Sequence, residues 1–164
     1  MRAIAQGHRL ALVGAAVASG DIDLVDVELC NGEEFIAAIR RSAATTNCRI
    51  ILSHHNFQKT PEEGFIVGKL FEAQSACADI AKIAVMPNSY SDVLTLLTAT
   101  NTARNGVVEI PIVTIAMGSV GRVSRLAGGL FGSDITFASG SQSSAPGQMP
   151  IGDLRAAMAV LYQP

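Results

Sequence analysis

Lys82 is the one charged residue in Ala81-Lys82-Ile83-Ala84-Val85-Met86-Pro87. Burial in such surroundings favours the neutral amine over the ammonium. A neutral amine attacks carbonyl carbon, which is the first requirement of imine catalysis. The competing reading is a lysine at a strand end whose ammonium reaches water past its apolar stem. Two more groups fit the first reading. His54 and His55 precede Asn56-Phe57, and an imidazole near its own pKa can take the proton that an imine makes acidic. Arg125, in Gly121-Arg122-Val123-Ser124-Arg125, can hold a carboxylate through paired N–H donors. Either histidine could equally serve as a satisfied structural group at a turn. A metal reading of the pair lacks a third ligand at suitable spacing.

These side chains need a scaffold that brings them to one place. The chain has 164 residues, 49% of them hydrophobic and 16% charged, which suits one domain with elements buried on both sides. Its net charge of −2 includes no basic run longer than Arg40-Arg41, so a nucleic-acid partner is not expected. Cys30, Cys48 and Cys77 are odd in number and widely spaced, the pattern of reduced thiols in a cytoplasmic protein. No apolar stretch approaches the ~20 residues of a membrane span. The segment Leu10 to Ser19 after Arg2 could pass for a signal peptide, but Gln6 and Gly7 interrupt the charged region, and the run ends at Gly20 as an ordinary helix would.

Strand-like runs alternate with helical patterns. Strands are expected at 22–29, 49–53, 80–86, 108–116 and 134–137, with helices at 2–19, 33–46, from Pro61, 89–104, around 120–131 and 152–162. Strand centres are separated by about 22 to 33 residues, the length of one strand–loop–helix unit. Alternation of this kind implies a parallel sheet with helical crossovers. Ligands of such folds bind at the carboxyl ends of the strands. That rim would carry Glu28, the His54 to Phe57 turn, Lys82, Met117-Gly118 and the flexible loop Ser139 to Gln148.

The residues also resemble a known family, type I 3-dehydroquinate dehydratase. The similar stretches are Ile22-Asp23-Leu24-Val25-Asp26-Val27-Glu28-Leu29, Ser53-His54-His55-Asn56-Phe57 with Thr60-Pro61, and Ala78-Asp79-Ile80-Ala81-Lys82-Ile83-Ala84. Further along come Ser91-Asp92-Val93-Leu94-Thr95-Leu96-Leu97, Met117-Gly118, Ser124-Arg125-Leu126-Ala127-Gly128, Phe131-Gly132-Ser133 and Ser144-Ala145-Pro146-Gly147-Gln148, in family order. The resemblance implies that Lys82 forms the imine and that His55, directly before the Asn-Phe pair, is the general acid/base. It implies that Arg125 binds the substrate carboxylate and that Ser144 and Gln148 are lid residues touching the ring's polar groups. Met117 and Phe137 would line the pocket. The implied reaction converts 3-dehydroquinate to 3-dehydroshikimate without metal or organic cofactor. Asp26 and Glu28 share strand parity and should point the same way, with no role assigned. Another lysine-dependent lyase, such as an aldolase, fits the lid and the His-Asn-Phe turn less well.

The family fold is an eight-unit (β/α) barrel of typically about 250 residues. The chain resembles the part that starts at the helix after the third strand, so the expected architecture is a single partial α/β barrel domain over 1–164, with about five parallel strands and six helices. The resemblance places the histidine's acidic partner, and other hydroxyl-binding residues, in the unmatched part, and no position here is expected to replace them. Loss of an orienting acid can cost orders of magnitude in rate, so weak turnover is expected. Two open sheet edges and an uncovered apolar face are also expected, to be covered by other copies in an obligate homodimer or larger assembly where strand edges or inner faces meet. The alternative is a catalytically silent relative that persists as an oligomeric or partner-binding protein.

Overall fold

The computed structural model describes residues 5–163. Its elements alternate as expected: α1 (Gln6–Ala18), β1 (Leu24–Glu28), α2 (Glu33–Ala43), β2 (Arg49–Asn56), α3 (Glu63–Ser75), β3 (Ile80–Val85), α4 (Tyr90–Asn105), β4 (Ile112–Ala116), α5 (Arg122–Ala127) and α6 (Ile151–Leu161). Short 3-10 turns follow β1 at Leu29–Asn31 and α5 at Gly128–Phe131. Residues 2–4 of the first expected helix lie outside the described residues. The remainder of that helix belongs to the fold: Val17 is fully buried, and Leu10 and Val13 pack against the core. Among the described residues no helix is long and apolar enough to cross a membrane.

The four strands are parallel and lie in chain order, β1-β2-β3-β4. Side chains alternate between the two faces of each strand, and here the faces differ in chemistry. One face carries Val27, Ile50, Leu52, Ala81, Ile83, Val85 and Ile112, which are buried in one cluster with Ile36 and Ile39 of α2, Ile66 and Leu70 of α3, and Val93 and Leu96 of α4. The other face carries a smaller apolar group, Ile51, Ile80, Ala84, Val113, Ile115 and Met117. It also carries the polar side chains Asp26, Ser53 and Lys82, which bond to one another. Helices therefore cover one face, and the opposite face holds the polar groups.

Local signals set the element ends. Ser89 caps α4 in a capping box: its hydroxyl accepts from the Asp92 N–H, and the Asp92 carboxylate accepts from the Ser89 N–H. Gly20 and Gly32, at φ +78° and +84°, occupy the left-handed backbone after α1 and before α2.

The fifth expected strand, Asp134 to Phe137, forms no ladder. The outer N–H groups of β4 find side chains instead. The Ile112 N–H donates to Asp134 Oδ2 at 2.7 Å, the Thr114 N–H to Ser133 Oγ at 3.1 Å and the Ala116 N–H to Ser124 Oγ at 2.9 Å. One backbone bond, Asp134 N–H to Ile112 O at 2.8 Å, joins the segment to β4. Alternate β4 residues point their amides outward, and three short polar side chains satisfy them in turn. This corrects the expectation of two edges with unpaired groups: β1 and β4 both lack an outer strand partner among the described residues, but the outward amides of β4 are satisfied by side chains.

Ser124 is 3% exposed, and replacing it leaves the Ala116 N–H without its partner. A buried orphan donor costs about 1–3 kcal/mol. Ser124→Ala is expected to lower unfolding stability by about that amount in urea titration, whereas an unchanged midpoint would show that the edge bond contributes nothing.

Candidate active site

Register brings the polar groups together. Asp26 lies on β1, Ser53 on β2 and Lys82 on β3, with Ser53 paired in register to Lys82. Lys82 Nζ lies 2.6 Å from Asp26 Oδ2, and the Ser53 hydroxyl donates to Asp26 Oδ1 at 2.6 Å. The Lys82 side chain is 12% exposed, and its Nζ sits 4.9 Å from the centre of the Phe137 ring. The amine is thus withdrawn from solvent, as its sequence context predicts. Its surroundings are not purely apolar, however. The run around Lys82 is apolar along its own strand, but the neighbouring strands supply a carboxylate and a hydroxyl that a reading along one strand does not show.

His54 and His55 lie inside β2, which extends to Asn56 rather than ending at Ser53. Strand parity separates them. His54 faces α3, its ring edge-on to Phe65 at 5.6 Å, and burial, with help from the nearby Lys69 charge, pushes its pKa below the ordinary 6.5. His55 faces the Lys82 side and stacks nearly parallel on Phe57, with ring centres 5.6 Å apart. The two imidazoles on opposite faces cannot share one ion.

His55 Nδ1 is buried and lies 3.2 Å from Glu28 Oε1. The contact is off the hydrogen-bond direction, so Nδ1 has a carboxylate beside it but no bond to it. Glu28 thus faces the histidine, in a chain where no position was expected to replace the family's acidic partner. Glu28 and Asp26 are two apart on β1 and project to the same side, which their parity made legible.

Arg125 is 3% exposed, and burial pushes its guanidinium below the usual arginine range. One terminal nitrogen donates to Phe137 O at 3.2 Å and the other to Pro146 O at 3.1 Å, while Nε has no partner. The side chain therefore joins the Phe137 segment to the loop that follows it. In that loop the Gln148 side-chain oxygen accepts from the Ser144 N–H at 2.8 Å, and its amide nitrogen donates to Ser144 Oγ at 3.1 Å. Gly147, at φ +79°, packs against Gly118, and a side chain there would collide with the Gly118 backbone. A second tie runs from the Gly118 N–H to Pro146 O at 3.2 Å. The loop expected to be flexible is thus fastened at its Pro-Gly turn to the end of β4.

All seven side chains named from sequence line one cavity of about 340 Å³: Lys82, His55, Arg125, Ser144, Gln148, Met117 and Phe137. Phe57, Ala84, Ile115, Ala145 and Pro146 complete its wall. An amine, an imidazole and a guanidinium on one partly apolar cavity suit a carbonyl substrate that carries a carboxylate.

The model of the type I 3-dehydroquinase family matches residues 2–164. The chain is 46% identical over 160 residues to the 3-dehydroquinate dehydratase of Geobacillus thermodenitrificans, covering 98% of this chain and 62% of that protein. The Bacillus subtilis enzyme of the same name is 42% identical over 154 residues, 94% of this chain and 60% of its own length. Among solved structures, the 3-dehydroquinate dehydratase of Geobacillus kaustophilus superposes with a TM-score of 0.93 at 45% identity, covering 99% of this chain and 63% of that one. The Clostridium difficile type I enzyme, solved with covalently modified comenic acid, gives 0.92 at 38% identity, with 98% and 63% covered. The chain therefore spans roughly three fifths of the length of these relatives. By sequence and by fold, it belongs to the type I 3-dehydroquinase family.

Proposed function

We propose that this chain dehydrates 3-dehydroquinate to 3-dehydroshikimate through an imine on Lys82. The observation that carries the reading is the single cavity lined by Lys82, His55 and Arg125 beneath the Ser144 to Gln148 loop. The Lys82 amine attacks the C3 ketone, and loss of water from the carbinolamine gives an iminium. The iminium draws electrons from C2, whose proton passes to His55. The enamine then expels the C1 hydroxyl, which leaves as water with the proton returned by the imidazole. A second water hydrolyses the conjugated iminium, freeing product and amine, so one water is lost overall. The iminium itself is the electron sink, and no step calls for a metal or organic cofactor. Arg125 holds the substrate carboxylate, Ser144 and Gln148 exchange their mutual bond for bonds to ring hydroxyls, and Met117 and Phe137 press on the ring.

The assembly belongs to the same reading. The outer edge of β1 has no strand partner among the described residues, and Leu24 on that strand is 46% exposed. Edges of this kind are normally covered. Two copies meeting there form a homodimer. The three cysteines of each chain are free, which supports a reducing compartment such as the cytoplasm.

Appearance of the conjugated enone, followed by absorbance, tests the reaction. Wild type is expected to turn over, Lys82→Ala to fall to the uncatalysed background, and Arg125→Leu to raise KM about tenfold to a hundredfold through loss of charge-assisted bonds. Turnover that survives Lys82→Ala would contradict the mechanism. Sedimentation equilibrium is expected to give twice the chain mass; a well-folded monomer across the accessible concentration range would contradict the dimer.

A further inference from the structure

The acid/base role of His55 requires one nitrogen to face the substrate as a free base while the other keeps its proton. Which nitrogen is which follows from what the ring meets on its buried side. Nδ1 is that side: it is buried, makes no hydrogen bond, and has Glu28 Oε1 3.2 Å away. The geometry points to Glu28 as the carboxylate that positions His55, holding the proton on Nδ1 and leaving Nε2 to exchange protons with substrate.

Three features aim Glu28 at the ring. It is the last residue of β1, paired in register with Ser53, two positions before His55 on the adjacent strand. The turn that follows is fastened to it by the Asn31 side-chain amide, which donates to Glu28 O at 2.8 Å, and Gln6 of α1 donates to Asn31 O at 2.9 Å. The Cys30 thiol donates to Oε2 at 3.4 Å, leaving Oε1 turned toward His55. The ring is also restrained, lying flat on Phe57. Hydrogen bonds of catalytic groups are often poorly aligned without substrate and tighten only when it binds. Strand β1 then serves both working groups, with Asp26 at Lys82 and Glu28 at His55. Glu28 is a positioning residue, since it acts through the imidazole. This inference rests on the assignment of His55 as the acid/base, but its central claim concerns the protein without substrate.

Long-range ¹H–¹⁵N correlation spectra of the imidazoles of the full chain, recorded where His55 is neutral, test it. Wild-type His55 is expected in the Nδ1–H form. Glu28→Ala is expected to shift it to the Nε2–H form, while Glu28→Gln, whose amide oxygen still accepts, retains Nδ1–H. His54, on the opposite face, reports that the fold is intact and is expected to be unchanged in both variants. In the dehydration assay kcat is expected to fall about 10²-fold or more in Glu28→Ala, with KM little changed. A wild-type Nε2–H form, or a His55 tautomer indifferent to Glu28→Ala, overturns the inference whether or not the chain turns over. Failure of dehydration with the tautomer shift intact overturns the functional reading and leaves the positioning role standing.

Discussion

The site depends on the alternation of side chains along four parallel strands, expressed most directly in the 2.6 Å contact between Lys82 and Asp26. A single-residue slip of β1 or β3 would exchange faces, putting Val25 or Ile83 in the site and a charge among the helices. Burial of Val27, Leu52, Ile83 and Ile112 beneath α2, α3 and α4 fixes the register from the apolar side. The polar side follows without further instruction. The same alternation puts His55 with Lys82, and His54 with Phe65.

The Asp26 contact also changes how Lys82 must be understood. A lysine surrounded only by hydrocarbon would be neutral because water is absent. Here a carboxylate held by the Ser53 hydroxyl meets the amine, and an ion pair fixes the nitrogen in one place. Orientation is a large component of catalysis, because a fixed group attacks without first losing its freedom. Near the opposite edge, Arg125 links the Phe137 segment to the Pro146 turn, so the residue assigned to the substrate carboxylate also sets the position of the loop above it.

Much of this arrangement was legible from residue types in order. The alternation of strands and helices and the shared direction of Asp26 and Glu28 followed from pattern and parity, whereas the cavity membership of His55, Ser144, Gln148, Met117 and Phe137 beside Lys82 and Arg125 came with the family resemblance. The choice between His54 and His55 needed the family pattern, since spacing alone treats them alike. What stayed hidden were contacts between segments far apart in sequence. Asp134 was read as the start of a strand because Ile135-Thr136-Phe137 is β-prone, but its carboxylate, with Ser133 and Ser124, meets the β4 amides in place of a ladder. Glu28 could be assigned a direction and not a partner, because the distance to His55 depends on how far β2 runs beyond Ser53.

The central claim, that the Lys82 amine condenses with the substrate ketone, is tested most directly by borohydride reduction in the presence of 3-dehydroquinate, followed by peptide mass analysis. The account predicts one reduced adduct, confined to the peptide that contains Lys82, with Lys59 and Lys69 unmodified. Absence of an adduct, or label spread over all three lysines alike, would contradict it.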